Sequence, residues 1–281
     1  MTSPEKRRAE ANFAAKDQRA EWKERIASCR QDRYIRQVHS LFAAVLTALF
    51  PHRCLGCRVD TALDQPFCAA CQRFIQTIEP PFCSCCGVPF ITDTGPNHLC
   101  SSCQEQPPTF RQARSWAVYS GSSSTPHPLN EAIQQFKYQR RLSTGKALAS
   151  LAATCCSLDA EQHDVIVPVP LHLERLRWRG FNQSLLLARA VGQARHIPVD
   201  PFLLERIRPT TPQTQLKGKE RRTNVRGAFH VSDAERLAGK TVLLIDDVYT
   251  SGATTQECAH ALRRSGAAAV DVFTLARAVS H

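Results

Sequence analysis

An α/β fold is the class this sequence predicts: a mostly parallel sheet flanked by helices, with a small cysteine-rich module ahead of it. Three observations carry that expectation. Short apolar runs alternate with helical patterns from Trp116 to Arg277, as in sheets built by crossover connections. Eight of the 13 cysteines fall into four C-x-x-C pairs between Cys54 and Cys103. One apolar run ends in two adjacent aspartates followed by a hydroxyl-rich turn, "VLLIDDVYTSGATT" (Val242–Thr255).

Residues 1–38 are rich in Ala, Glu, Lys, Arg and Gln and poor in apolar residues, which predicts a charged helical or partly disordered extension. Residues 39–50 read as a short apolar helix ended by Pro51. With the cysteine region they form a module over 39–106, leaving an α/β domain over 107–281. In that domain "WAVY" (Trp116–Tyr119) reads as a strand, and Asn130 is placed to cap a helix over "EAIQQFKYQRR". Residues 144–156 make another helix. "DVIVPVP" (Asp164–Pro170) is a strand closed by prolines, and Gln183–Ala194 has helical spacing of Leu and Ala. Lys240–Val248 is a buried strand. Thr254–Ser265 is a helix with Gly266 just past its end, and Val270–Arg277 is the last strand. Residues 208–226 are polar, basic and long for a connection, the pattern of a functional lid or a disordered segment.

At 281 residues, 43% hydrophobic and 22% charged, the chain has the composition of a soluble protein. Its longest apolar run, Leu41–Phe50, is about half the roughly 20 residues of a membrane span. The charged first 25 residues hold no apolar signal core, so a cytoplasmic location is expected. The net charge of +11 divides into +4 over residues 1–38, −1 over 39–103 and +8 over 104–281. Residues 172–226 alone hold twelve basic and four acidic residues. Such a concentration suits a phosphorylated metabolite or a nucleic acid; a solvated arginine-rich surface is the alternative.

The cysteine pairs are Cys54/Cys57, Cys68/Cys71, Cys83/Cys86 and Cys100/Cys103. A C-x-x-C turn sets two thiolates on one side of a tetrahedral ion, and a second turn completes a Cys₄ set. Four pairs make two closed, structural zinc sites. Sequential pairing as tandem zinc ribbons is preferred to an interlocked alternation, because "CGVPF" after the third pair reads as a fresh knuckle. Cys85, inside "CSCC", is an alternative ligand.

Asp246 and Asp247 stand at the carboxyl end of their strand, where open α/β sheets bind ligands. The turn Thr250–Thr254 then feeds a helix N-terminus suited to an anion. Gly252 permits close backbone approach, Thr250, Ser251 and Thr254 offer hydroxyls, and the carboxylates suit sugar hydroxyls and Mg²⁺.

All thirteen positions of "VLLIDDVYTSGAT" resemble the phosphoribosyl pyrophosphate (PRPP) motif of type I phosphoribosyltransferases. The resemblance implies a type I phosphoribosyltransferase-like sheet. It implies that Asp246 and Asp247 hold the ribose 2- and 3-hydroxyls. Thr250, Ser251, Gly252, Ala253 and Thr254 would then hold the 5-phosphate. Over residues 40–277 the chain resembles the ComF family, which includes GntX-like proteins. It shares the cysteine pairs, "FKY" (Phe136–Tyr138), "VPVPLH" (Val167–His172), "RGFNQS" (Arg179–Ser184) and "QTQLKGKERRTNVRGAF" (Gln213–Phe229). That likeness implies natural competence: uptake and handling of single-stranded DNA with a helicase-like competence protein and a DNA-processing protein. No glutaminase domain accompanies the match, so glutamine-dependent chemistry is not expected.

Arg175, Arg177 and Arg179 are candidates to neutralise pyrophosphate, as are Lys219, Arg221 and Arg222 from the 208–226 segment. Arg177, Trp178, Arg179 and Phe181 are candidate nucleic-acid contacts, with packing as the commoner role of the aromatics. No segment reads as an acceptor pocket. Three functions therefore stay open: a PRPP-binding module in DNA uptake, an active transferase on an unidentified acceptor, and a zinc-ribbon scaffold for a helicase-like partner.

Overall fold

The computed structural model describes residues 53–62, 65–92, 94–119, 127–138, 142–210 and 223–279, all within the compact unit Arg53–His281. The expected N-terminal extension and the apolar helix over 39–50 lie outside the described residues.

The cysteine region repeats one plan twice. A knuckle carrying the first pair is closed by an antiparallel bridge, Arg53↔Asp60 in the first copy and Phe82↔Pro89 in the second. A short helix then opens at the third cysteine: α1 (Ala69–Gln72) follows Cys68, and α2 (Ser101–Glu105) follows Cys100. So small a segment has little apolar surface of its own. It gains more by docking onto the helix Pro128–Tyr138: Cys54, Leu55, Phe67 and Cys71 belong to the same buried cluster as Leu129, Ile133 and Phe136.

The sheet begins at β1 (Gln112–Tyr119), which starts four residues before the expected strand. Its first residues are polar, and periodicity does not mark them as strand. They are held by a buried acid on the neighbouring strand: Arg111 and Gln112 donate to Asp271, and Ser115 bonds Thr274. His163 also meets Asp271 at 2.9 Å. Burial opposes ionisation of Asp271, but these partners outweigh it and hold its carboxyl well below the usual range.

Helix α3 (Pro128–Tyr138) starts at a proline, which fits a first helical position. Asn130 lies inside its first turn rather than capping it. Helix α4 (Leu142–Cys155) and the fully buried β2 (Val165–Pro168) follow. The unexpected α5 (Leu173–Arg179) ends at Gly180. Helix α6 (Gln183–Arg195) is capped by Asn182, whose side chain accepts from the Ser184 N–H. A second unexpected feature is the antiparallel pair β3 (Leu204–Arg206) and β4 (Phe229–Val231), whose three-residue strands are too short to show a period. The remaining elements are α7 (Ala234–Leu237), β5 (Thr241–Tyr249), α8 (Ala253–Arg264) and β6 (Ala269–Ala278).

The four long strands are parallel in the order β1–β6–β5–β2, the mostly parallel sheet that the alternating pattern predicts. β5 and β6 are buried on both faces, as parallel strands require. Leu243, Ile245, Phe273 and Leu275 face α3, α4 and α6. Val242, Leu244, Val270 and Val272 face the β3–β4 pair and α8. The ribbons close the outer edge of β1. Thr77 bridges Ala117, Ile78 N–H donates to the Trp116 carbonyl at 2.9 Å, and Val118 N–H donates to the Gln76 carbonyl at 2.8 Å. Among the described residues, no helix is long and apolar enough to cross a membrane.

Candidate functional site

β5 is an inner strand, and its carboxyl end delivers Asp246 and Asp247 into a pocket of about 190 Å³. Asp246 Oδ1 accepts from Ser184 Oγ at 2.8 Å and from the Asp247 N–H at 2.9 Å. Burial, and then the adjacent charge of Asp247, push the Asp246 carboxyl up to about 7. Asp247 is nearly buried, and Lys137 Nζ from the end of α3 lies 2.9 Å from its Oδ2. This is a close ion pair without aligned hydrogen-bond geometry. Burial works to lower the Lys137 ammonium, but Asp247 more than offsets it, and its pKa stands above the ordinary value.

Cations line the same pocket. Arg175, Arg179 and Arg206 line the pocket with Lys137. Arg179 Nη1 donates to Gln183 Oε1 at 2.6 Å, and its guanidinium lies over the Tyr138 ring. Burial lowers the pKa of both Arg179 and Arg206. Among the described residues, the buried Nε atoms of both have no hydrogen-bond partner. Four cations against two carboxylates leave a formal surplus of +2 among the described lining residues, suited to a ligand with more than one negative group.

The turn after β5 forms the pocket floor. Thr250, Gly252 and Thr254 line it, whereas Ser251 points to solvent and Ala253 is buried. Gly252 is the N-cap of α8 at φ 73. A Cβ there would come 2.2 Å from Tyr249 Oη, so glycine is required by both backbone and space. Gly252→Ala is expected to cost about 1–3 kcal/mol of stability. It should also weaken phosphate-ligand binding, checked by thermal denaturation with and without ligand.

The expected arginines separate. Arg175 and Arg179 line the pocket, and Arg177 is exposed away from it. Lys219, Arg221 and Arg222 lie outside the described residues. Of the nucleic-acid candidates, Trp178 is 55% exposed and meets Tyr138 edge-on at 6.1 Å. Phe181 stacks on Phe136 at 5.2 Å and Arg179 is buried, so these two turn inward. Sequence reasoning did not assign Lys137, Ser184 or Arg206 to the site. Lys137 and Ser184 sit in "FKY" and "RGFNQS", whose shared wording was the available signal. Arg206 reaches the pocket through a strand pair with no local signature.

The eight paired cysteines form two sets, Cys54/Cys57/Cys68/Cys71 and Cys83/Cys86/Cys100/Cys103, each with all sulfurs within 4.8 Å of one another. The pairing is sequential, and Cys85 stands outside both sets. A tetrahedron with Zn–S of about 2.3 Å has edges of about 3.8 Å. Cys57–Cys68 and Cys86–Cys100 Sγ separations of 3.6 and 3.8 Å match it. Backbone N–H groups of Cys68 and Cys100 donate to Cys54 and Cys83 Sγ, which stabilises the thiolate form of those sulfurs. The two Cys₄ clusters fit two structural zinc ions.

These features define a double zinc ribbon joined to a phosphoribosyltransferase-type domain. The double zinc ribbon domain family matches residues 45–109, and the phosphoribosyl transferase domain family matches residues 184–280. DNA utilization protein YhgH of Escherichia coli K12 is 33% identical over 234 residues, covering 81% of this chain and 97% of that protein. Competence protein F of Haemophilus influenzae is 30% identical over 82% of this chain and 98% of its own length. Competence protein ComFC of Bacillus subtilis is 29% identical over 76% and 85%. The chain belongs to the ComF family. Among solved structures, a glutamine PRPP amidotransferase from B. subtilis complexed with ADP and GMP is 20% identical. It covers 56% of this chain and 29% of that one, at a TM-score of 0.31.

Proposed function

We propose that this protein binds PRPP or another 5-phosphoribosyl ligand with Mg²⁺ and acts in natural competence, in the handling of single-stranded DNA. The observation that carries the binding is the gathering in one pocket of two carboxylates, four cations and the N-cap of a helix. Asp246 and Asp247 accept from the ribose hydroxyls, and the Thr250–Thr254 turn takes the 5-phosphate. Arg175, Arg179 and Arg206 face the pyrophosphate. Mg²⁺ fits the carboxylate donor set, directly or through water; when bound it neutralises phosphate charge. The DNA role rests on the likeness to DNA utilization protein YhgH and competence protein F, and on Arg177 and Trp178, exposed on the outer side of α5.

Transfer to an unidentified acceptor is the second reading. It is favoured by the Nε atoms of Arg179 and Arg206, buried and without a hydrogen-bond partner among the described residues, which suit the charge that develops on a departing pyrophosphate. Titration calorimetry with PRPP and MgCl₂ is expected to show one site per chain, with ribose 5-phosphate binding more weakly. Absence of heat with PRPP and Mg²⁺ would sink the ligand reading. Binding of an oligonucleotide should fall steeply between about 50 and 200 mM salt, and a flat response would count against direct DNA contact.

The pH dependence follows from Asp246. Ribose hydroxyls and Mg²⁺ prefer the carboxylate, whose proton is retained up to about pH 7. Affinity for PRPP with Mg²⁺ is therefore expected to rise from pH 6 to pH 8 and then level off. The free protein should move the opposite way. An unfolded carboxyl ionises near 3.9, below the folded value, so stability falls as pH rises between those limits. Calorimetry and thermal denaturation across that range measure both.

A further inference from the structure

We infer that Arg277 and Tyr249 are positioning residues that brace the phosphate-binding turn against the second Cys₄ centre, so that the integrity of that centre sets the affinity of the turn. The inference rests on the reading of Thr250–Thr254 as the phosphate cradle.

The contacts form an unbroken series. Tyr249 is the last residue of β5, one position before the turn, and Arg277 is its register partner on β6. Arg277 is buried at 7% exposure, and its guanidinium lies 4.2 Å from the Tyr249 ring centroid. On its other side Arg277 Nη1 donates to the Cys86 carbonyl at 2.6 Å, and Nη2 lies 3.5 Å from Cys86 Sγ. The Tyr249 hydroxyl abuts Gly252, where even a Cβ would find only 2.2 Å. Metal ligand, arginine, aromatic ring and the N-cap of α8 thus touch in sequence.

The physical consequence follows from burial. A zinc ion with four thiolates carries a formal charge of −2, and Arg277 is a cation donating toward one of those sulfurs. When the metal leaves, the knuckle that fixes the Cys86 carbonyl loses its organising centre. A buried guanidinium cannot stay unpaired, so it must shift. The Tyr249 ring stacked on it then moves, and the ring edge presses directly on Gly252. The knuckle is itself seated tightly on the sheet: a Cβ on Gly87 would lie 2.4 Å from the Ala113 carbonyl oxygen, and Ala113 N–H donates to the Cys85 carbonyl. The first centre is seated elsewhere, with Gly56 against Pro128 at the start of α3. It therefore serves as the internal control.

The test uses the full chain and three readouts: zinc release to a colorimetric chelator, hydrogen exchange resolved by peptide, and calorimetry with PRPP and MgCl₂. Arg277→Met is expected to speed loss of one of two zinc ions by about 10- to 100-fold. It should also raise exchange over Thr250–Thr254 and weaken PRPP by about 5- to 100-fold. Arg277→Lys, which keeps the charge without the planar stack, should recover zinc retention more than PRPP affinity. Tyr249→Phe should raise exchange in the turn while both zinc ions stay at wild-type rates. It supplies the answer if Arg277→Met fails to fold. Stepwise chelation of the wild-type chain should loosen the turn when peptides over Cys83–Cys103 lose protection, and not when only those over Cys54–Cys71 do. Unchanged turn exchange in Arg277→Met and Tyr249→Phe, or loosening that follows the first centre, overturns the brace. Coupled zinc release and turn exchange in a chain that binds no PRPP would uphold the brace and refute the ligand reading.

Discussion

Removing both zinc ions with a strong chelator is expected to unfold the region from Arg53 to about Glu105 and lower the Tm of the whole described unit. Structural zinc contributes about 10–16 kcal/mol of apparent binding energy in small zinc-finger peptides. The ribbons here have little else to bury. Cys54, Leu55, Phe67 and Cys71 also complete the cluster around Leu129 and Phe136, so their release opens the core beside α3. Loss of even several kcal/mol corresponds to roughly 10–20 °C in a unit of this size. The outer edge of β1 would lose its bridge to Thr77, exposing unpaired strand groups, so aggregation should accompany melting. Circular dichroism melts with metal analysis measure the effect. A chelated, zinc-free protein with the same Tm would contradict the structural role.

Asp246→Asn with Asp247→Asn is expected to abolish the thermal shift produced by PRPP and Mg²⁺. A hydrogen bond to a charged group contributes about 1.5–3 kcal/mol. Losing one at each carboxylate therefore weakens binding by roughly two to four orders of magnitude. The single variants should differ in stability. Asn at 246 removes a buried, raised carboxyl next to another acid while keeping an oxygen for Ser184, so the free protein is expected to hold or gain stability. Asn at 247 strands the Lys137 ammonium, so stability should fall by about 1–3 kcal/mol. Retained PRPP binding in the double variant would contradict the assignment of the ribose to this end of β5.

The parts of this architecture that sequence made legible are those with local periodicity or fixed spacing. β5 and β6 are continuous apolar runs because both faces are buried, and the four C-x-x-C pairs announce their own geometry. The early half of β1 was illegible because its polar residues are held by partners distant in sequence: Gln112 by Asp271, Ser115 by Thr274, and Arg114 by the Ser84 carbonyl of the cysteine region. The β3–β4 pair was illegible because each strand is three residues long and its partner lies beyond a polar segment. In the candidate site, Asp246, Asp247 and Gly252 could be read from one contiguous stretch. Lys137, whose signal was the shared "FKY" alone, and Arg206, which had none, are brought to the end of β5 only by the tertiary fold.

Helix α5 has a consequence for how variants of this protein are interpreted. It is seven residues long, with Arg175 and Arg179 on the pocket side and Arg177 and Trp178 on the outside. Residues of one helix of about two turns move together, so a change designed for the outer side alters the inner one. A charge reversal at Arg177 is expected to lower the local potential felt in the pocket. On the proposed function, a large anion outside would likewise compete electrostatically with a small anion in the pocket for the same helix. Genetic phenotypes from α5 are therefore mixtures, and separating them needs paired measurements on the two ligands in the same variant.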